Sequence, residues 1–262
     1  MQENHKTLNI NEIETHLLLG KISYFNSIDS TNHWLLKNGQ HADICISEKQ
    51  TSGKGRRGKQ WVSPDSGNIY FSLCWQFNEP LKHTSLLGLE IGIAIAESLK
   101  KVGLNNHGIK WPNDILWQQK KLGGILLETT NQSGSIVIGI GLNIELPNEL
   151  RKAIDQPNIS ISEIMPIEEG FREQLLITLI QQLHQQLSAF PARTFFDFIK
   201  SWNKWDILQN QEVSFTHQNE LIIGKVTGLD RHGRIGVVSN ETINYFSSAD
   251  IKIRKHHECI AN

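Results

Sequence analysis

Several short stretches of this 262-residue chain carry residue types that could do chemistry. Gly53-Lys54-Gly55-Arg56-Arg57-Gly58 satisfies G-x-G-x-x-G, the spacing of dinucleotide-binding turns. That use requires a helix directly after the turn, so that its N-terminus meets a pyrophosphate. Val62 and Pro64 oppose a helix in the segment that follows, and a dinucleotide site is therefore rejected. The loop is also basic, with Lys49, Lys54, Arg56, Arg57 and Lys59 close together. Glycines expose backbone N–H groups and guanidinium forks suit phosphate oxygens, so the loop reads as a flexible anion clamp. A solvated basic loop or a nucleic-acid contact fits the same residues.

Lys110-Trp111-Pro112-Asn113-Asp114 combines a fixed φ at Pro112, an extended Trp111 and an amide, Asn113, able to donate and accept as a purine edge requires. A strand end with a tight turn explains it equally. Lys121-Leu122-Gly123-Gly124-Ile125-Leu126-Leu127-Glu128 puts a lysine at the mouth of an apolar strand whose glycines allow close backbone approach. The plain alternative is a solvated turn lysine, the expectation for its neighbour Lys120. Ser27-Ile28-Asp29-Ser30-Thr31-Asn32 is either a helix N-cap by Asp29 or Ser30, or a ring of hydroxyl and amide groups around a small polar ligand. Gly139-Ile140-Gly141-Leu142-Asn143-Ile144 is a strand with small residues or the wall of a flat pocket.

The elements that must position these groups follow from periodicity. Asp43–Glu48 and Ile69–Trp75 read as strands, the latter with Ile69, Phe71, Leu73 and Trp75 on one face. Leu86–Val102 reads as a helix stopped by Gly103. Ile115–Trp117 and Leu122–Glu128 form a hairpin around Gln118–Lys121, and Ser135–Ile140 is a further strand. Residues 147–166, with three prolines and no period, read as a long loop. Glu168–Leu187 is an amphipathic helix and Thr194–Trp202 another. After a boundary near Leu208–Gln211, the short runs Glu212–Thr216, Leu221–Leu229, Gly236–Ser239 and Ile243–Phe246 suggest a small β-barrel of roughly 45 residues. Residues 1–21 are a polar stub with a helical hint over Asn11 to Leu19. The whole is an α+β layout.

Composition narrows the function. With 39% hydrophobic and 20% charged residues, a sizeable core forms and disorder is excluded. A net charge of -1 argues against a surface built for polyanions, although a local basic patch remains open. Cys45, Cys74 and Cys259 are odd in number and far apart, which fits a reducing compartment. No apolar run reaches the ~20 residues of a membrane span, and Met1 to Leu8 lacks a secretory signal. A soluble, cytoplasmic protein is expected.

Together and in this order the stretches resemble the biotin protein ligases, or biotin–[acetyl-CoA-carboxylase] ligases. Members carry Ser-Thr-Asn, Gly-Arg-Gly-Arg-x-x-Arg-x-Trp, Lys-Trp-Pro-Asn-Asp, Lys-Leu-x-Gly-Ile-Leu-x-Glu and Gly-x-Gly-x-Asn. Here these are Ser30-Thr31-Asn32, Gly53 to Trp61, Lys110 to Asp114, Lys121 to Glu128 and Gly139 to Asn143, so that the match spans roughly residues 23–145. The resemblance implies a class II aminoacyl-tRNA-synthetase-like catalytic domain over residues 22–208, with a mixed or antiparallel sheet and helices, and a small SH3-like β-barrel over 209–262. It implies that biotin and ATP give biotinyl-5′-AMP with Mg²⁺ assisting, and that biotin then passes to a lysine of a biotin carboxyl carrier domain of acetyl-CoA carboxylase. Lys121 and Arg56 would be the catalytic residues. Ser30, Thr31, Asn32, Gln50, Lys54, Gly55, Arg56 and Lys121 would bind biotin. Arg56, Arg57, Lys59, Trp61, Asn113, Asp114 and Arg254 would bind ATP, with Mg²⁺ near Asp114.

The loop departs from the pattern at Lys54 and Lys59, where arginine is usual, so charge is kept and bidentate geometry is lost. About 21 residues precede the motifs, too few for the DNA-binding domain of bifunctional members, so a monofunctional ligase with no specific DNA or membrane partner is expected, as monomer or homodimer. Three rivals stand beside this reading: a lipoate or octanoate ligase, a nucleic-acid module stacking bases on Trp61 and Tyr70, and an idle biotin-binding regulator.

Overall fold

The computed structural model describes residues 7–65, 67–79, 84–130, 134–151, 154, 156–249 and 251–253. In chain order its first elements are α1 (Ile10–Glu14), β1 (Ile22–Phe25), α2 (Thr31–Asn38), β2 (Ile44–Ser47), β3 (Ile69–Gln76), α3 (Thr84–Lys101), β4 (His107–Lys110), β5 (Asp114–Trp117), β6 (Lys120–Thr129) and β7 (Ser135–Leu142). There follow α4 (Asn148–Arg151), α5 (Phe171–Ala189), α6 (Phe195–Trp202), β8 (Glu212–His217), β9 (Glu220–Leu229), β10 (Ile235–Ser239), β11 (Thr242–Phe246) and β12 (Lys252–Ile253).

A seven-stranded sheet, in the order β1-β2-β3-β7-β6-β5-β4, forms the body. Only β1 and β2 are parallel; every other neighbouring pair is antiparallel. Alternation along the strands assigns its two faces. Ile69, Phe71, Leu73 and Trp75 of β3 join Ile136, Ile138 and Ile140 of β7 in the main core, with residues of α3 and α5 among them. The opposite face carries Cys45, Cys74 and Val137 against Leu35 of α2. The period-two reading of β3 thus holds, and both described cysteines are buried packing residues; burial pushes the Cys45 thiol up to about 12. The final strands form a five-stranded sheet, β11-β10-β9-β8-β12. No helix among the described residues is long and apolar enough to cross a membrane.

Three expectations need correcting. The polar stub contributes to the core: Leu8 and Ile13 are buried, and each such side chain contributes about 1.5–3 kcal/mol. The helix there is only Ile10–Glu14. The proline-containing stretch 147–166 is not simply a loop, because it holds α4 and a 3-10 turn, Ile161–Glu163, with Ser160 and Ile161 fully buried. The sequence does not reveal this because part of its backbone pairs with Lys121, Asn143 and Ile144, away from the stretch itself. The hairpin turn is also tighter than read. Gln118 and Gln119 alone make it, both at positive φ, and Lys120 and Lys121 already lie in β6.

Candidate active site

The sheet face that carries α2 is interrupted by a cleft of about 190 Å³. Its floor is glycine, for a steric reason. A Cβ at Gly139 would lie 2.3 Å from Asn32 Oδ1, and one at Gly141 would lie 2.5 Å from Trp61 Cζ2. Gly124, the register partner of Gly141, carries the same indole, with 3.2 Å from its ideal Cβ to Trp61 Cζ3. The glycine-rich strand is therefore the wall of a flat pocket, and the glycines let Asn32 and Trp61 lie directly on the sheet.

The polar end comes from the start of α2. Ser30 is its N-cap, accepting from His33 N at 3.4 Å, and it also lines the cleft. Gln50 Oε1 accepts from Thr31 N at 2.9 Å and lies 3.1 Å from Thr31 Oγ1. Asn32 Nδ2 donates to Glu128 at 2.7 Å, and Ser72 Oγ lies within 2.7 Å of both Thr31 Oγ1 and Asn32 Oδ1.

The basic loop closes one side. Trp61 N donates to Gly53 O and Gly55 N to Lys59 O, folding the loop on itself around the 3-10 turn Arg56–Gly58. Among the described residues no helix follows the loop before β3. Arg56 donates to Asn113 Oδ1 at 3.0 Å. Burial and then neighbouring Arg57 push its guanidinium below the ordinary arginine value, while Asp114 opposes them; a guanidinium stays charged through any such shift. Arg57 reaches Ser248 Oγ beside the C-terminal sheet. Lys49, counted among the cations by sequence, is engaged 2.5 Å from Asp65 and does not line the cleft.

Lys121 lies beside this loop's Trp61. Its ammonium is 2.8 Å from Asp114 Oδ1 and 5.5 Å from the Trp61 ring centroid, with both ion-pair side chains less than one-fifth exposed. Its backbone is held by the former "loop": Lys121 N donates to Pro157 O at 2.8 Å and Ile159 N to Lys121 O at 3.0 Å. Asn143 clamps the same segment, donating from Nδ2 to Ile159 O at 3.2 Å and accepting from Ile161 N at 3.0 Å. The C-terminal sheet contributes too. Trp111 Nε1 donates to Gly233 O at 2.9 Å, and Ala249 and Ile251 line the cleft.

Ser30, Thr31, Asn32, Gln50, Lys54, Gly55, Arg56, Arg57, Lys59, Trp61, Asn113, Asp114 and Lys121 all line this one cleft. Arg254, and with it Cys259, lies outside the described residues. Gln156, Phe71, Ala249 and Ile251 were not found by sequence; Gln156 sits in the stretch read as loop, and the others are ordinary apolar positions. Tyr70 cannot be a stacking platform: it is 1% exposed and its hydroxyl is turned inward to Pro64 O. Among the described residues no group of three or more His, Cys, Asp or Glu side chains could cage a metal. Among the described residues Asp114 is the one carboxylate lining the cleft, so a divalent ion would find a single carboxylate ligand there.

Residues 24–144 match the model of the biotin/lipoate A/B protein ligase family. The bifunctional ligase/repressor BirA of Escherichia coli is 32% identical over 263 residues, covering 97% of this chain and 80% of that protein. The biotin–[acetyl-CoA-carboxylase] ligase of Mycobacterium tuberculosis is 35% identical over 112 residues, or 41% of each chain. Among solved structures, the biotin protein ligase from Aquifex aeolicus in complex with biotin and ATP superposes with a TM-score of 0.78 at 25% identity, over 90% of this chain and 100% of that one. A glycine-floored cleft ringed by cations, on a sheet of that architecture and at that level of identity, means that the chain belongs to the biotin protein ligases.

Proposed function

We propose that this ligase joins biotin to a carrier lysine in two steps within the one cleft. In the first, a biotin carboxylate oxygen attacks the α-phosphorus of ATP, the bond to the β,γ-diphosphate breaks, and biotinyl-5′-AMP and pyrophosphate form. In the second, the amine of a carrier lysine attacks the acyl carbon, the bond to AMP breaks, and the amine gives up a proton. The observation that supports this reading is the gathering of Lys121 and the Arg56 loop around Asn113 and Asp114 in a cleft with a neutral, hydrogen-bonding end. Step one brings two anions together, and these cations offset their repulsion and stabilise charge developing at phosphorus.

Lys121 would hold the carboxylate and an α-phosphate oxygen, released from Asp114 when stronger anions arrive. Arg56 would serve both substrates; Lys54 and Gly55 would close over biotin. Arg57 and Lys59 would meet the phosphates, Trp61 the face of the adenylate and Asn113 its edge. Ser30, Thr31, Asn32 and Gln50 would take the ureido end. Asp114 would hold Mg²⁺ entering with ATP, which supplies charge neutralisation on the phosphates. Arg254 is proposed as an ATP contact from the family pattern alone. The catalytic unit would run over residues 22–208 and the C-terminal unit over 209–262, as a cytoplasmic enzyme acting on the carrier domain of a carboxylase.

Closure of the loop would exclude water from the hydrolysable anhydride. Incubation with biotin, ATP and a biotin carboxyl carrier domain should add one biotin to one carrier lysine, read by intact-mass spectrometry. An unmodified carrier in the presence of formed adenylate would refute the second step, and no adenylate would refute the first.

A further inference from the structure

Arg56 and Arg57 are neighbours in the chain but are held by different parts of the molecule. Arg56 donates to Asn113 within the cleft, whereas Arg57 Nη2 donates to Ser248 Oγ, just past strand β11 of the C-terminal sheet. The backbone divides them. Arg57 has φ 55° and ψ 33°, in the left-handed region, which a residue with a side chain keeps where its surroundings hold it. The loop around it is closed on itself, with Gly55 N donating to Lys59 O at 2.7 Å and Trp61 N to Gly53 O at 2.9 Å. Ser248 thus reaches the tip of the closed loop from the C-terminal part of the chain.

Ser248 is itself held in place. Ile235 of β10 pairs with Phe246 of β11, so the turn just before β10 and Ser248 just after β11 lie at the same end of the sheet. That turn is braced by Asp230, whose Oδ1 accepts from His232 N and Arg234 N, both at 2.9 Å, and whose Oδ2 accepts from Arg234 Nε at 2.7 Å. Gly233 in the turn has φ 72°, and a Cβ there would lie 3.2 Å from Leu86 Cδ2 and 3.3 Å from Leu89 Cδ1 of α3. Its carbonyl takes the N–H of the buried Trp111 indole. We propose that Ser248 is a positioning residue that keeps the basic loop folded over the cleft by holding Arg57, and that the Asp230 turn, docked on α3 and Trp111, keeps Ser248 there. A guanidinium has five N–H donors, so the bond to Ser248 leaves others for phosphate. The assignment rests on the adenylation reading above and adds what retains the intermediate: adenylate leaves when the loop lifts, and lifting breaks the Arg57–Ser248 bond.

The test uses the full chain and two readouts. In the unliganded protein, Ser248→Ala should raise hydrogen exchange at the Gly55 and Trp61 amides, which close the loop. In protein loaded with biotinyl-5′-AMP, the same variant should release the adenylate about threefold to tenfold faster, the value of one hydrogen bond that water can reach, with the melting temperature unchanged. Ser248→Thr keeps the hydroxyl and should restore slow release. Asp230→Ala should also speed release, and should add nothing further in the Ser248→Ala background. Unchanged exchange at both amides, unchanged release, equal release from the alanine and threonine variants, or effects of Asp230→Ala and Ser248→Ala that multiply independently would overturn the assignment. Failure of the unaltered protein to form adenylate from biotin and ATP would overturn the biotin reading instead, and the exchange measurement on unliganded protein would still decide whether Ser248 holds the loop.

Discussion

Gly141→Ala places one methyl group under the Trp61 indole. Gly141 does not lie at positive φ, so alanine suits its backbone and should even stiffen β7 by about 0.5–1 kcal/mol. The conflict is with the ring: the new Cβ would sit 2.5 Å from Cζ2 and 2.6 Å from Cε2. Carbon atoms rest at about 3.5–4.0 Å, so the indole must lift by about 1 Å. Lys121 Nζ lies 5.5 Å from the ring centroid, and a shift of that size takes it to the ~6 Å limit of useful cation–π attraction or past it. Misplacement of a reacting group by ~1 Å typically lowers a rate about 100-fold. The expected result is a melting temperature at or near that of the unaltered protein, with adenylation slowed between about tenfold and 100-fold. Trp61→Phe in the same chain removes the overlapping ring and should recover part of the loss. Steady-state ATP–pyrophosphate exchange measures both. Unaltered exchange in Gly141→Ala would mean that the indole does not organise the site, and the glycine-floor argument would fail.

Other perturbations test the remaining parts. Lys121→Ala should abolish adenylate formation while lowering stability by only about 1–2 kcal/mol, between an exposed and a buried pair, since its partner Asp114 is itself partly exposed; normal turnover would remove Lys121 from the mechanism. Asn143→Ala should free residues 157–161 and raise hydrogen exchange at the Lys121 and Ile159 amides, with a smaller kcat and little change in KM for biotin; unchanged exchange at both amides would show that Asn143 does not hold the segment. Burial pushes His107 below the ordinary histidine value of 6.5, so its protonation opposes the fold. Its contribution is present above about pH 6.5 and is lost as pH falls through the lower folded value. The melting temperature should therefore drop on acidification, and less so in His107→Phe; equal acid slopes would contradict this.

What the sequence disclosed depends on how locally each feature is written. The β3 face, α3 with its stop at Gly103, the β5–β6 hairpin and the amphipathic α5 are set by period and turn residues within a few positions. Thirteen proposed site residues fall in one cleft because their motifs carry them, although no rule of spacing says that residues 30, 56, 113 and 121 meet. The gaps have one cause. The stretch 147–166 pairs with Lys121 and Asn143, and Leu8 and Ile13 find their apolar partners far along the chain, so their own neighbourhoods look polar or irregular. Gly139 and Gly141 are ambiguous in the sequence because Asn32 and Trp61, the side chains that require them, come from distant segments.

ATP–pyrophosphate exchange on the purified chain, with biotin, lipoate, octanoate or no acid added, tests the central claim most directly. The account predicts exchange with biotin and none with the other acids or without acid. Exchange driven by lipoate or octanoate would keep the reaction and overturn the substrate, and no exchange with any acid would contradict the adenylation mechanism altogether.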